Sequence, residues 1–356
     1  MSTSLKSDLI LGIESSCDET AAAILSAPRE ILSSVVASQI PIHRRYGGVV
    51  PDLAARQHLL AIDTVVKEAL EGARCRFEDL GGVAVTYGPG LVGCLLVGIQ
   101  VAKAIAYVQE IPLASVNHLE GHIRSLFLDH ASVPMPALTL VVSGGHTALY
   151  LSRRDDGRYD TLARTRDDAA GEAYDKVARS LGLGYPGGPI LDRLSKHGDP
   201  KRFAFGRPKM SDGSDDFSFS GFKTAVLRHM EGSGMRPLDP EDGAGRDPDP
   251  KDCPKPMLDL IASFQEGVVD NLVRTTLKVA RGTRAASIGL AGGVACNSRL
   301  REKMAAAGVE IGVPVLTTSF ALTTDNAAMI AEAGYRHLLR GQTAGLDLGP
   351  DPSAVI

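Results

Sequence analysis

Two stretches of the chain carry the same pattern of hydrophobic and polar positions. Residues 9–13 form an apolar run that reads as a buried strand, residues 14–19 are polar, and residues 20–25 and 31–36 predict a second and a third strand. The pattern returns at residues 137–142, 143–147, 148–151 and 159–163, and helical sequence follows each copy. Such a repeat predicts a diverged internal duplication built from α/β units. Residues 53–70 read as an amphipathic helix, residues 88–107 as a Gly-rich turn opening a small-residue helix, and residues 326–340 as a final helix.

The turns carry glycine where chemistry could use it. Ser143-Gly144-Gly145-His146-Thr147 lets backbone amides approach an anion closely, although an ordinary hairpin uses the same residues. Tyr87-Gly88-Pro89-Gly90-Leu91-Val92-Gly93 is not followed by Gly-Lys-Ser/Thr, so it reads as close helix packing and not as a Walker loop. Gly292-Gly293 lies at a strand-to-helix turn, and Asn297 could bond a ribose or base or could cap the helix. Residues 231–256 shift to Pro, Gly, Asp and Glu, the composition of an inserted surface loop.

Bulk properties narrow the classes. A chain of 356 residues that is 44% hydrophobic is long enough for two packed domains and is not disordered. A formal net charge of -4 means that contact with nucleic acid has to come from local basic clusters or from partners. The five scattered cysteines include no Cys-x-x-Cys pair, which argues against a disulfide framework or a zinc knuckle and suits a reducing cytosol. Residues 1–8 lack the apolar core of a signal peptide, and no uninterrupted apolar run reaches transmembrane length; the expected location is the cytoplasm.

His118-Leu119-Glu120-Gly121-His122 is the strongest chemical signal. Two imidazoles four residues apart share one helix face and can bind one metal, which then needs a further anionic donor. Asp325 is the candidate, since it is the only acidic residue between Glu310 and Glu332. Plainer roles stand beside this one: His118 as the first residue of a helix, His122 as a solvated side chain, Asp325 as an N-cap. A zincin-type metallopeptidase would have Glu directly after the first His, where Leu119 stands, so the spacing argues against that activity.

Taken together, residues 11–20, 118–122, 142–147, 168–176, 185–189, 217–224, 291–297 and 324–328 resemble the bacterial TsaD family nearly end to end and in order. The resemblance implies an actin-like ATPase (ASKHA) fold, two similar RNase H-like lobes with a nucleotide cleft between them. The expected lobes are residues 1–116 plus 326–356, and residues 117–325 with the insertion at 231–256. It implies a tRNA N6-adenosine threonylcarbamoyltransferase, which moves the threonylcarbamoyl group of threonylcarbamoyl-AMP to N6 of adenosine 37 in tRNAs reading ANN codons and releases AMP. Carried over by motif, His118, His122 and Asp325 would bind one Fe(2+) or Zn(2+) per subunit. Val141, Val142, Ser143, Gly144, Gly145, Asp175, Gly188, Asp192 and Asn297 would line the adenylate site, with Asp175 or Asp192 accepting ribose hydroxyls. Archaeal and eukaryotic relatives carry Tyr where this chain has Val141, so a tyrosine ligand is not available here. Glu14, Asp18 and Glu19 form an acidic turn, and no general base is assigned.

The implied partners are the tRNA anticodon loop, a TsaB-like paralogue, a TsaE-like ATPase and a TsaC-like enzyme that supplies the adenylate, with residues 53–70 as the docking helix or else as ordinary core. Rival classes on the same fold are a small-molecule kinase, an O-carbamoyltransferase and a nucleotide-regulated scaffold.

Overall fold

The computed structural model describes residues 5–206, 210, 212–239 and 245–356. In chain order the elements of the first half are β1 (Leu9–Glu14), β2 (Glu19–Ser26), β3 (Glu30–Ser38), α1 (Ile40–His43), α2 (Pro51–Ala73), β4 (Gly82–Gly88), α3 (Val92–Gln109), β5 (Leu113–Asn117) and α4 (His118–Asp129). Then come β6 (Ala137–Val142), β7 (Thr147–Ser152), β8 (Asp160–Arg164), α5 (Ala170–Ser180), α6 (Gly187–Ser195), α7 (Ser220–Ser233) and α8 (Lys255–Thr283). The chain closes with β9 (Ser287–Ala291), α9 (Ser298–Ile311), β10 (Val315–Thr317), α10 (Phe320–Thr323) and α11 (Ala327–Leu339).

Two compact units result. Unit 1 comprises Met1–Gln39, Val49–Ser132 and Thr318–Ile356; unit 2 comprises Ile40–Gly48 and Val133–Thr317. Their sheets are two versions of one plan. The first has the order β3-β2-β1-β4-β5 and the second β8-β7-β6-β9-β10. In each, three strands pair antiparallel and two more join parallel. This is the duplication that the sequence pattern predicts. The unit limits differ from the expected lobes, because α4 and residues 318–325 belong to unit 1, where α4 packs on α11 and α11 on β1 and β4.

In unit 1 the central strands are buried on both faces, which is why they read as unbroken apolar runs. Alternate residues face opposite ways: Leu11, Ile13, Ile24, Val83 and Val85 meet Ile62, Val66, Leu95 and Ile99 of α2 and α3, while Ile10, Leu25, Ala84, Ala114 and Val116 meet Met329, Ile330, Ala333 and Leu338 of α11. Small residues on the second face let α11 come close. A Cβ on Gly12 would lie 2.2 Å from the Ala327 carbonyl oxygen, and this contact fixes the start of α11 against β1. The helix α3, long and apolar enough to cross a membrane, places Leu95, Ile99 and Ala102 in this core. The apolar face of residues 53–70 is likewise core, through Ile62, Val65, Val66, Ala69 and Leu70, while Leu59 and Leu60 stay exposed.

Unit 2 buries Leu138, Leu140 and Val142 of β6 against α5, α6 and α8. Of the expected insertion at 231–256, residues 240–244 lie outside the described residues. The flanking parts are pinned by backbone bonds from Leu238 N to Leu181 O and from Gly184 N to Arg246 O.

Candidate functional site

The metal-site expectation concerns unit 1 alone. Strand β5 ends at Asn117, whose side chain accepts from Leu119 N at 2.9 Å and so starts α4 at His118. A Cβ on Gly121 would sit 2.8 Å from Ile330 Cδ1, so a larger residue there would have to displace the tip of the Ile330 side chain of α11. The two helices are tied by a buried, bidentate ion pair, with Arg124 Nε and Nη2 each donating to Glu332 at 2.6 Å.

Also on α4, the His118 and His122 rings lie 4.7 Å apart between centroids. His118 Nε2 is 3.7 Å and His122 Nε2 3.3 Å from Asp325 Oδ1, and the candidate ligand atoms all fall within 4.8 Å of one another. His122 is fully buried and not solvated. Asp325 is not the N-cap of α11: Asn326 is, accepting from Met329 N. Two of the plainer roles are thereby excluded, while His118 is indeed the first residue of its helix.

The donor set fits a divalent cation. Both His122 ring nitrogens are buried without a hydrogen-bond partner among the described residues. An unsatisfied buried polar atom costs about 1–3 kcal/mol, a cost removed when a cation takes the lone pair. His118 is oriented for the same task. Its Nδ1 lies 3.1 Å from Glu14 Oε2 and 3.3 Å from Ser16 Oγ, so the proton on Nδ1 faces the carboxylate and Nε2 is the nitrogen turned toward Asp325. Burial disfavours a charged His118, yet the Glu14 and Asp325 carboxylates prevail and raise it to about 9. Burial would lift Glu14, but the charge and hydrogen bond of His118 hold it below its usual value. Glu14 also accepts from Ser16 N and Thr86 Oγ1. Glu19, half-buried at the end of the acidic turn, is pushed up to about 9 by burial and by the Asp18 and Asp325 carboxylates.

Glu120 turns away from this cluster. Its Oε2 lies 3.0 Å from His337 Nε2, so it is not placed as the base of a zincin. Although burial opposes it, Glu120 raises the pKa of His337, whose Nδ1 donates to Ser115 O.

The expected adenylate lining lies in unit 2 and is only partly open. Val141 and Val142 are buried in β6, paired with Ala148 and Thr147. Ser143 is buried and its amide donates to His146 O, whereas Gly144 and Gly145 are exposed. A Cβ at Gly144, Gly145, Gly188 or Gly293 would meet nothing within 4 Å, so ligand atoms can approach backbone at each. Asp175 Oδ1 accepts from Gly187 N at 2.7 Å and fixes the start of α6. Asp192 Oδ1 accepts from Ser298 Oγ and Gln265 Nε2, and its Oδ2 accepts from Ser298 N. Asn297 realises the capping role: its Oδ1 accepts from Leu300 N, while its Nδ2 donates to Gln265 Oε1 and faces Tyr174 Oη.

Sequence reasoning missed the partner role of Glu14, and Thr86, Gln265, Tyr174 and Ser298 altogether. For Glu14 a signal existed: a carboxylate that ends a buried apolar strand has to be paired.

Residues 30–332 match the family described as TsaD: tRNA N6-adenosine threonylcarbamoyltransferase. Among curated relatives, the tRNA N6-adenosine threonylcarbamoyltransferase of Koribacter versatilis is 50% identical, with 96% of this chain and 97% of the relative covered. The enzymes of the same name from Clostridium perfringens (strain 13) and Clostridioides difficile are 47% and 46% identical, covering 97% and 98% of this chain and 97% and 99% of the relatives. Among solved structures, T. kodakarensis HypF superposes with a TM-score of 0.61 at 14% identity, over 98% of this chain and 50% of HypF. Component A of the Acidaminococcus fermentans (R)-2-hydroxyglutaryl-CoA dehydratase gives 0.53 at 17%, over 93% and 99%. At these identities the structures show the fold alone, which is the actin-like ATPase fold.

Proposed function

Because this chain belongs to the TsaD family, the tRNA N6-adenosine threonylcarbamoyltransferases, we propose that His118, His122 and Asp325 hold a divalent metal and that the β6–β7 turn receives the adenylate of that reaction. The enzyme transfers the threonylcarbamoyl group of threonylcarbamoyl-AMP to N6 of adenosine 37 in tRNAs reading ANN codons, forming t6A and releasing AMP. In that step the N6 lone pair attacks the carbamoyl carbon, the bond from that carbon to the phosphate oxygen breaks, and N6 gives up a proton.

The observation that supports the metal reading is the buried His122 ring, whose nitrogens make no hydrogen bond among the described residues and whose Nε2 lies 3.3 Å from Asp325, beside a His118 already oriented by Glu14. A bound Fe(2+) or Zn(2+) supplies a Lewis acid for charge developing on a carbonyl or phosphate oxygen. Glu14 holds the proton on His118 Nδ1, so Nε2 is the nitrogen that would give up its proton to hold the cation. Gly144, Gly145 and Gly188 offer exposed or half-exposed backbone to the adenylate, and Asp175 and Asp192, each already bonded to backbone, present ribose-accepting carboxylates held in place. Val141, Val142, Ser143 and Asn297 act as the supporting wall.

The tRNA substrate needs help from other proteins, since a net charge of -4 gives little general attraction to a polyanion. A TsaB-like paralogue docks on α2 and α3, where Leu59 and Leu60 and, on α3, Val92, Tyr107 and Val108 are exposed. A TsaE-like ATPase and a TsaC-like supplier of the adenylate complete the set, in the cytoplasm.

The test is to incubate the protein and its partners with threonylcarbamoyl-AMP and unmodified tRNA, then digest the tRNA to nucleosides. The reading predicts t6A at position 37 and release of AMP in equal amount. Unmodified tRNA, with AMP released only by hydrolysis, would contradict it.

A further inference from the structure

His58 on α2 is fully buried, although it lies on the helix whose neighbouring residues Leu59 and Leu60 are exposed. Its two ring nitrogens reach into the turn between β1 and β2. Nε2 lies 3.0 Å from the Cys17 carbonyl oxygen, and Nδ1 lies 2.7 Å from Thr20 Oγ1. A carbonyl oxygen can only accept, so Nε2 carries the proton and the Nδ1 lone pair accepts from the Thr20 hydroxyl. The ring therefore clips both sides of one turn from outside it.

That turn contains Ser16, whose hydroxyl meets His118 Nδ1 and whose amide donates to Glu14 Oε1. Other bonds hold the same turn: Ser15 Oγ donates to Cys94 O, Leu91 N to Ser16 O, and Gln39 N to Asp18 O. His58 grips it at two points with one side chain. The proposed reaction gives His58 no contact with metal or substrate, and its fully buried imidazole spends both nitrogens on this turn.

We propose that His58 is a positioning residue of the metal centre, holding through the Cys17 carbonyl and the Thr20 hydroxyl the turn that sets Glu14 and Ser16 against His118. This rests on the metal reading above. Loss of the clip leaves the three ligands in place but lets the carboxylate that orients His118 move.

The test uses Co(II) loaded into the full-length protein and read by its visible absorption bands, with His122→Ala as the control that abolishes them. His58→Leu removes both hydrogen bonds, Thr20→Val removes one with almost no change of shape, and Thr20→Ser restores the hydroxyl. The clip predicts roughly tenfold weaker Co(II) binding for His58→Leu and a smaller loss for Thr20→Val, with shifted bands in both, the size typical of removing an outer-shell partner. Thr20→Ser returns affinity and bands toward wild type. In transfer assays kcat falls while KM for tRNA holds. If His58→Leu does not fold, the two Thr20 variants carry the comparison. Wild-type bands and affinity in folded His58→Leu, or in Thr20→Val where only that variant folds, overturn the role of His58 alone. A wild-type protein with no His122-dependent bands overturns the metal reading and this inference with it.

Discussion

Glu14 Oε2 and His118 Nδ1 lie 3.1 Å apart inside unit 1, and this pair decides which nitrogen of His118 is available to a cation. The carboxylate also accepts from Ser16 N and Thr86 Oγ1, so it is fixed on two sides before it meets the ring. Replacing it by an amide of the same shape separates orientation from charge. Glu14→Gln is expected to weaken metal binding roughly 10–100-fold while the fold is kept, as is usual for a partner of a ligating histidine. Metal titration with a chromophoric chelator checks this. Unchanged affinity would remove Glu14 from the account.

The Arg124–Glu332 pair joins α4, the helix of His118 and His122, to α11. Both side chains are almost wholly buried, and Glu332 Oε1 also accepts from Arg336 Nε at 3.1 Å, so the carboxylate keeps a partner when Arg124 is lost, whereas loss of Glu332 takes from Arg124 the carboxylate it meets. Glu332→Leu is expected to cost about 3–5 kcal/mol, Arg124→Met less because Arg336 still meets Glu332, and Glu332→Leu combined with Arg124→Met less than Glu332→Leu alone. Urea unfolding of the three proteins measures the difference. A double variant as unstable as Glu332→Leu would show that the pair stabilises by itself.

In unit 2, Glu266 is held at about 2 by hydrogen bonds from Arg299 and, against the opposing effect of burial, by those from Lys303. A carboxylate depressed in the folded state adds stability that is fully present above its unfolded value near 4.5 and is lost as pH falls toward 2. Glu266→Gln should therefore unfold more easily at pH 7, by roughly 2 kcal/mol after allowing for solvent screening. The gap to wild type should shrink steadily below pH 4.5. Urea midpoints at pH 7, 5 and 4 test the sign, and a gap that widens in acid contradicts it.

Leu60 is three-quarters exposed on α2, outside the core formed by Ile62, Val65 and Val66. Leu60→Glu should leave thermal stability within about 0.5 kcal/mol and cut affinity for a TsaB-like paralogue by at least tenfold, since a charge in the middle of an apolar contact loses its hydration. Binding measured by calorimetry, beside the melting temperature, separates docking from folding. Equal affinity places the docking surface elsewhere.

Much of this architecture is legible in the chain because its signals are local. Strand, polar turn, strand is written twice in period-two patterns, and both copies formed sheets of the same order. The His118–His122 spacing needs only a helix to bring the rings together. Asp325 was found by elimination among acidic residues, and the structure brings it to the rings because α11 is seated on Gly12. Roles that depend on distant partners were harder to read. Nothing near residue 58 reveals that its imidazole meets Cys17 and Thr20, and Asn297 reads equally as ligand or cap until α9 is placed. The unit limits also escaped the sequence, because α4 follows β5 without a break in pattern and its membership is set by packing on α11.

The most direct measurement is metal content and single-turnover transfer on the same preparation of His122→Ala, beside wild type, using preformed threonylcarbamoyl-AMP, tRNA and partners. Removing one ligand from a site of three protein donors leaves it incomplete, so the variant should be folded, carry little metal and form no t6A above background, while wild type carries about one ion per chain. A folded His122→Ala protein with wild-type metal content or a wild-type transfer rate would contradict the assignment of this centre.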